Sequence, residues 1–392
     1  MRILVTSRGS SGHVTPLAPF AHAARRAGHQ VLLVVQDQNA SNAERLGLPF
    51  TTVDSAPPEA WMPVLSTFAE LDLDTANHRM LVDYFGALDT RAALPALNRL
   101  VESWRPDVIV RESWEFASTI AGELHGVPVA RVGLSLGSIE EATDALLPPV
   151  LDPIRAEAGL PPDPAGRALR DTPYLTMVPE ELDDAPRAAQ RFGQTPPRPA
   201  EHPWPGDEPL VYVSFGSVAA GAHLPYFPAL YRQAIDALSA LPARILMTVG
   251  EDRDHEALGP LPANVRVERW VPQDAVLASA QAVVTHGGYG STLGALAHGV
   301  PSVVLPLFSL DQWANAAAVA RSGAGIALDD DRATRRVLGM PDPLVLEALG
   351  PAVRVVLEEP YYATNARRIS DAMAALPVPD AAVGALPCLV AV

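Results

Sequence analysis

The sequence predicts an α/β protein built from two doubly wound domains that face a cleft. Three observations predict it. Short apolar runs alternate with helical patterns through the first half, a proline-rich stretch interrupts them, and the same alternation then restarts. The runs are apolar along their whole length, which suits strands buried on both faces of a parallel sheet. At ~100–200 residues per domain, a chain of 392 residues fits two domains.

Taken in order, Ile3–Ser7 reads as the first strand. Thr15-Pro16 looks like an N-cap followed by proline at the first helical position, Leu17, Phe20, Ala21 and Ala24 share one helical face, and Gly28 stops that helix. Gln30–Val35, Asp107–Val110 and Val127–Leu134 are further strands. Seven prolines then fall within residues 186–209, which read as a linker closing an N-terminal domain over 1–195. Strands restart at Leu210–Phe215, Arg244–Val249, Val265–Trp270, Ala282–Thr285 and Ser302–Leu305. Helices fit at roughly 225–240, 290–298, 311–322 and 343–358, giving a second domain over 209–358. A last helix over 360–376 is expected to pack back on the N-terminal domain.

Composition excludes several chemistries. The net charge of −16 argues against nucleic acid or an anionic membrane as a main partner. It leaves room for a phosphate, because backbone N–H groups at a helix N-terminus bind one without net positive charge. Cys388 is the only cysteine, so there is no internal disulfide, cysteine zinc site or redox pair. Lysine is absent altogether, which removes Walker-A nucleotidases, pyridoxal phosphate enzymes and protein kinases. No apolar run reaches the ~18–20 residues of a membrane span. The start reads as a buried strand rather than a signal peptide, so the expected compartment is the cytoplasm. The expected assembly is a monomer or homodimer.

The segment richest in chemistry is Thr285-His-Gly-Gly-Tyr-Gly-Ser-Thr292. A strand ends there, glycines keep the backbone bare, and a helix opens whose free N–H groups and positive end suit a diphosphate. An ordinary glycine-rich connection would read the same way. Around it stand Trp270-Val-Pro-Gln273, Gly299-Val-Pro301 and Asp311-Gln312. Together and in this order, the pieces from Trp270 to about Val319 resemble the donor signature of the UDP-glycosyltransferase superfamily (glycosyltransferase family 1, GT-B fold), and in particular its bacterial natural-product members.

The resemblance implies two Rossmann-like domains and a nucleotide-sugar donor as co-substrate, with no further cofactor. It also implies roles. Trp270 would stack on the nucleobase, with Val271 and Gln273 beside the nucleoside. Ser217, His286, Gly288, Gly290, Ser291 and Thr292 would hold the diphosphate. Asp311 and Gln312 would bind hydroxyls of the transferred sugar, although Asp311 could equally cap a helix. Many members carry a ribose-binding glutamate where this chain has Gly294, and natural-product enzymes that use thymidine-diphosphate deoxysugars often lack it. UDP and TDP both stay open. The stretch Pro306–Asp311 is one residue longer than the commonest form.

Transfer to a hydroxyl needs a base, and a loop histidine after the first strand suits the task. His13 in Gly12-His-Val-Thr-Pro16 matches the family's base motif. Its orienting acid falls at Glu112, with Glu115 as the alternative. Trp61, Phe68, Met80, Tyr84 and Phe85 lie in the region that the resemblance assigns to a hydrophobic acceptor, and would serve equally as core.

Asp72-Leu-Asp74 spells a metal-holding string but lies far from the donor signature, and Asp329-Asp-Asp331 reads as a loop. The histidines show no metal spacing, so no metal is expected. The function expected is inverting transfer of a sugar from a UDP- or TDP-sugar to a hydroxyl of a hydrophobic small molecule. A sugar-nucleotide epimerase and a non-catalytic sugar-nucleotide-binding protein are the alternatives. A dinucleotide oxidoreductase is disfavoured by Gly9-Ser-Ser-Gly12.

Overall fold

The computed structural model describes residues 1–8, 11–185, 188–193, 196, 204–219, 224–250, 253–328 and 335–389. Gly9, Ser10, residues 186–187, 194–195 and 197–203 of the proline-rich stretch, Asp329–Asp331 and the Cys388 side chain lie outside the described residues.

Two parallel sheets form. The first contains β1 (Arg2–Thr6), β2 (Gln30–Gln36), β3 (Phe50–Val53), β4 (Val108–Glu112), β5 (Val129–Val132), β6 (Tyr174–Thr176) and β7 (Gln190–Arg191), in the order β3-β2-β1-β4-β5-β6-β7. The second contains β8 (Leu210–Ser214), β9 (Arg244–Thr248), β10 (Val265–Glu268), β11 (Ala282–Thr285), β12 (Ser302–Val304) and β13 (Gly325–Ala327), in the order β10-β9-β8-β11-β12-β13. In each sheet all strands are parallel and the order in which they are added reverses once, between β1 and β4 and between β8 and β11. Those are the topological switch points at which doubly wound sheets bind ligands.

The strands form where β-branched and leucine side chains find cover on both faces. Ile3, Val5, Leu33 and Val35 face one core of the first sheet, and Leu4, Val34 and Ile109 face the other. In the second sheet, Val211, Val213 and Ile245 face one core, and Leu210, Tyr212 and Leu246 the opposite one. The first of these cores does not stop at the domain boundary. It takes in Tyr289, Leu293 and Val319 from the second half.

Several elements differ from the sequence expectation. β3, β6, β7 and β13 carry too few apolar residues to stand out, and form because a neighbouring strand offers its edge. β10 ends at Glu268, so Trp270 lies in a loop rather than in the strand expected to reach it. The helix expected over 343–358 is two, Pro343–Glu347 and Leu349–Glu358. The stretch before Thr90 is a continuous helical run whose Met80–Asp89 part is a π-helix.

The helix Pro360–Ala375 rests on the helix Tyr289–Ala297, with Ser370 donating to the Ala297 carbonyl at 2.7 Å. A further helix, Pro379–Leu389, was not expected. It lies on the helix Ala18–Arg26 of the first half, where Arg26 pairs with Asp380. None of these helices is long and apolar enough to cross a membrane.

Candidate active site

The first switch point carries a histidine and a carboxylate. β1 ends at Thr6, and His13 sits in the short helix Ser11–Val14 that follows. β4 ends on Glu112 itself. His13 Nδ1 and Glu112 Oε1 are 3.2 Å apart, with Glu112 fully buried and the His13 side chain 19% exposed. The other Glu112 oxygen accepts the Trp114 N–H at 2.5 Å. Burial acts to lower the pKa of His13. The charge and hydrogen bond of Glu112, with weaker help from Asp311 and Asp89, outweigh it and raise the pKa above its ordinary value of 6.5.

Glu115 does not reach His13. It turns beneath the sheet, where it accepts from Thr6 Oγ1 at 2.9 Å and from the Ser118 N–H at 3.1 Å. Burial raises its pKa. The turn that follows Glu112 is braced by Arg111, whose Nη1 donates to the carbonyls of Glu112, Ser113 and Glu115.

Aromatic rings surround His13. Phe85 stacks on it at 5.7 Å and Trp114 meets it edge-on at 5.4 Å. Tyr84 continues from Phe85 at 5.2 Å, and Trp61 from Tyr84 at 6.2 Å. Trp61, Tyr84 and Phe85 therefore form one wall leading to His13. Met80 is partly buried behind them. Phe68 is elsewhere. It packs with Leu73, Trp313 and Val337, drawn from both halves of the chain, and so serves as seam packing rather than as part of this wall.

The second switch point is neutral. His286 follows β11, buried between two glycines. A Cβ on Gly216 or on Gly288 would fall 2.5 Å from its ring. Phe308 stacks over it at 6.4 Å. Burial pushes its pKa down to about 4, a hydrogen bond with the Ser214 backbone opposing, so the ring is neutral at pH 7. Its buried Nδ1 has no hydrogen-bond partner.

Gly288 caps the helix Tyr289–Ala297, which starts earlier than the expected Ser291. Gly290 opens onto free space, and Ser291 is half-buried. The Thr292 N–H is already bonded to the Gly288 carbonyl at 2.9 Å, so the unpaired amides of the first turn precede it. What Thr292 can offer is its buried hydroxyl, which lacks a partner. Ser217 lies just beyond β8, and its Oγ is 2.9 Å from Ser11 Oγ, so the two switch points touch.

Trp270 is 59% exposed, and Val271 packs into the core beside it. Gln273 starts the helix Gln273–Leu277, and its Nε2 lies 2.9 Å from where a Cβ on Gly294 would stand. The glycine is thus roofed by an amide rather than left open.

Asp311 is not a helix cap. Ser309 caps the helix Leu310–Arg321 and also donates to the Asp311 carboxylate. Burial raises the pKa of Asp311. Gln312 is buried, and its Oε1 accepts the N–H groups of Leu307 at 2.8 Å and Phe308 at 3.2 Å. Its carbonyl is therefore committed to the loop, and only its amide nitrogen can face a ligand. Asp72 caps the helix Leu73–Arg79, accepting from the Thr75 N–H and hydroxyl at 2.8 Å each. Among the described residues, no group of three or more histidine, cysteine or acidic side chains could hold a metal.

Sequence reading missed Trp114, Phe308, Gly216 and Ser11. Trp114, two residues after Glu112, and Gly216, two residues after β8, had positional signals. Phe308 and Ser11 had none.

A family profile described as "Erythromycin biosynthesis protein CIII-like, C-terminal domain" matches residues 232–389. The chain is 31% identical to the elloramycin glycosyltransferase ElmGT of Streptomyces olivaceus, over 97% of this chain and 95% of that one. It is 30% identical to 4'-demethylrebeccamycin synthase of Lentzea aerocolonigenes, over 95% and 96%. Among solved structures, spinosyn rhamnosyltransferase SpnG complexed with thymidine diphosphate superposes with a TM-score of 0.79 at 25% identity, covering 99% of this chain and all of that one. Two Rossmann-like sheets meeting at their switch points, with these likenesses, define a glycosyltransferase of GT-B fold. The chain belongs to the bacterial natural-product glycosyltransferases of family 1, enzymes that transfer sugars from nucleotide donors.

Proposed function

We propose that the chain catalyses inverting transfer of a sugar from a nucleoside-diphosphate sugar to a hydroxyl of a hydrophobic small molecule, without a metal or further cofactor. His13 removes the proton of the attacking hydroxyl. Glu112 holds the imidazole by Nδ1, leaves Nε2 free for the acceptor, and stabilises the imidazolium that forms. The wall of Trp61, Tyr84 and Phe85 receives an apolar aglycone. The amides opening the helix Tyr289–Ala297, with neutral His286, Ser217 and the Thr292 hydroxyl, hold the diphosphate. Trp270 covers the base, and Asp311 with the Gln312 amide nitrogen binds the sugar. Gly294 beneath Gln273 offers no carboxylate to paired ribose hydroxyls, which supports a TDP-sugar as donor. SpnG, bound to thymidine diphosphate, supports the same choice.

The observation that carries the reading is the 3.2 Å His13–Glu112 contact at the first switch point. In His13→Ala, we expect turnover to fall on the order of 10²–10⁴-fold while calorimetric affinity for TDP stays within about twofold. Near-normal turnover would remove His13 from its role.

A further inference from the structure

We propose that Asn77, in the N-terminal half, is a positioning residue for the sugar contacts of the C-terminal half. Its amide grips the loop that leads into Asp311 and Gln312. The proposal rests on the reading of those two residues as the sugar contacts.

Asn77 lies in the helix Leu73–Arg79, three residues beyond the Asp72-Leu-Asp74 string. Its Nδ2 donates to the Phe308 carbonyl at 3.0 Å and to the Leu73 carbonyl at 2.9 Å. Its Oδ1 accepts the Leu310 N–H at 3.1 Å. A carbonyl can only accept and a backbone N–H can only donate, so the orientation of the amide is settled by its partners. The side chain thus bonds both backbone groups that flank Ser309, as a neighbouring strand would.

The same loop is held from within by Gln312, whose Oε1 accepts from Leu307 and Phe308. Tyr226 Oη at 3.0 Å and Arg335 Nη2 at 3.2 Å fix the Leu307 carbonyl from within the C-terminal half, so the turn beyond it, at Phe308 and Leu310, is where the opposite domain takes hold through Asn77. Ser309, the residue between the two Asn77 bonds, is the one that donates to Asp311. Moving this turn moves the Asp311 carboxylate and the Gln312 amide together.

The docking of Asn77 is itself fixed. The Leu73 N–H donates to the Arg335 carbonyl at 2.9 Å, and the Val337 N–H to the Leu71 carbonyl at 3.3 Å. These bonds flank an antiparallel bridge between Asp72 and Arg336. The string Asp72-Leu-Asp74 thereby acquires a use unrelated to metal: it starts the segment that straps one domain to the other. The helix that begins there continues into the one carrying Tyr84 and Phe85. One segment therefore touches both the acceptor wall and the donor loop.

The test compares binding of TDP and UDP with binding of TDP-glucose and UDP-glucose by calorimetry, in the full chain and in Asn77→Ala. Failure of the wild type to bind either diphosphate would overturn the nucleotide-sugar reading itself, whatever Asn77 does. With the nucleotide that does bind, we expect the variant to hold the diphosphate within about twofold of wild type. Its affinity for the sugar ester should fall at least about fivefold, because a displaced positioning group acts only on the moiety it positions. Equal losses for both ligands, or no loss for either, would overturn the proposal. Asn77→Asp keeps the shape and the Leu310 acceptor but removes both donations. It should show the same selective loss, and it carries the test if the alanine variant does not fold.

Discussion

The two switch points share a topology and differ in electrostatics. Each places a histidine just beyond the carboxyl end of a central strand, His13 after β1 and His286 after β11. His13 has a buried carboxylate at 3.2 Å, and its pKa is raised. His286 has glycines, an aromatic ring and no acid, and its pKa is driven down to about 4. The fold supplies the location twice. The neighbours decide whether the imidazole is a base that can become charged or a neutral polar wall that does not repel or trap a diphosphate.

The sharpest way to break this contrast is to take the carboxylate from the first site. Glu112→Gln keeps an acceptor for Nδ1 but removes the charge that raises His13. Activity needs neutral His13, so it should rise with pH through the His13 pKa, with the acid limb above 6.5 in the wild type. In the variant that limb should move to lower pH, while the plateau falls by about 100-fold because the imidazolium is no longer stabilised. A pH–rate profile that keeps its limb in place would contradict the pairing.

The second site carries its own pH signature, in stability. His286 binds a proton less readily folded than unfolded, so stability is lost as pH falls from 6.5 toward 4. From pH 7.5 to 5 the loss from this residue should be about 2 kcal/mol. Urea denaturation of wild type and His286→Gln at the two pH values measures it. An equal acid loss in both proteins would show that the ring is not held neutral by burial.

The smallest expected effect sharpens the role of the glycines. Gly216 has φ +80°, and a Cβ there would meet the His286 ring at 2.5 Å. Gly216→Ala should cost about 1–2 kcal/mol from the backbone conformation and should displace the ring. Diphosphate affinity should then fall, while the His13 pH limb stays where it was. A shifted limb would mean that the two sites are not electrically separate.

Much of this was legible in the sequence. The central strands carry apolar runs such as Ile3–Val5 and Val108–Val110, and β11 matches its expected bounds, because strands buried on both faces need no partner of particular register to be seen. His13, Glu112 and His286 were found because motif and strand end coincide. The edge strands were not, since pairing rather than composition makes them. The sequence predicts a strand from Val265 to Trp270, but β10 ends at Glu268 and leaves Trp270 in the loop. Phe68 and Phe85 lie in one region that the resemblance assigns to the acceptor, yet Phe68 packs with Trp313 and Phe85 stacks on His13.

By itself, the sequence determined the fold class, the two-fold repetition and the residue types at each strand end, because hydrophobic period and glycine placement are local properties. Only the tertiary structure chose Glu112 over Glu115, committed the Gln312 carbonyl to its own loop, and set Asn77 against Phe308 and Leu310. The physical reason is common to all three. A hydrogen bond is settled over a few ångströms, whether its groups stand 231 residues apart, as Asn77 and Phe308 do, or 5 apart, as Leu307 and Gln312 do, and no hydrophobic period or glycine spacing encodes that distance.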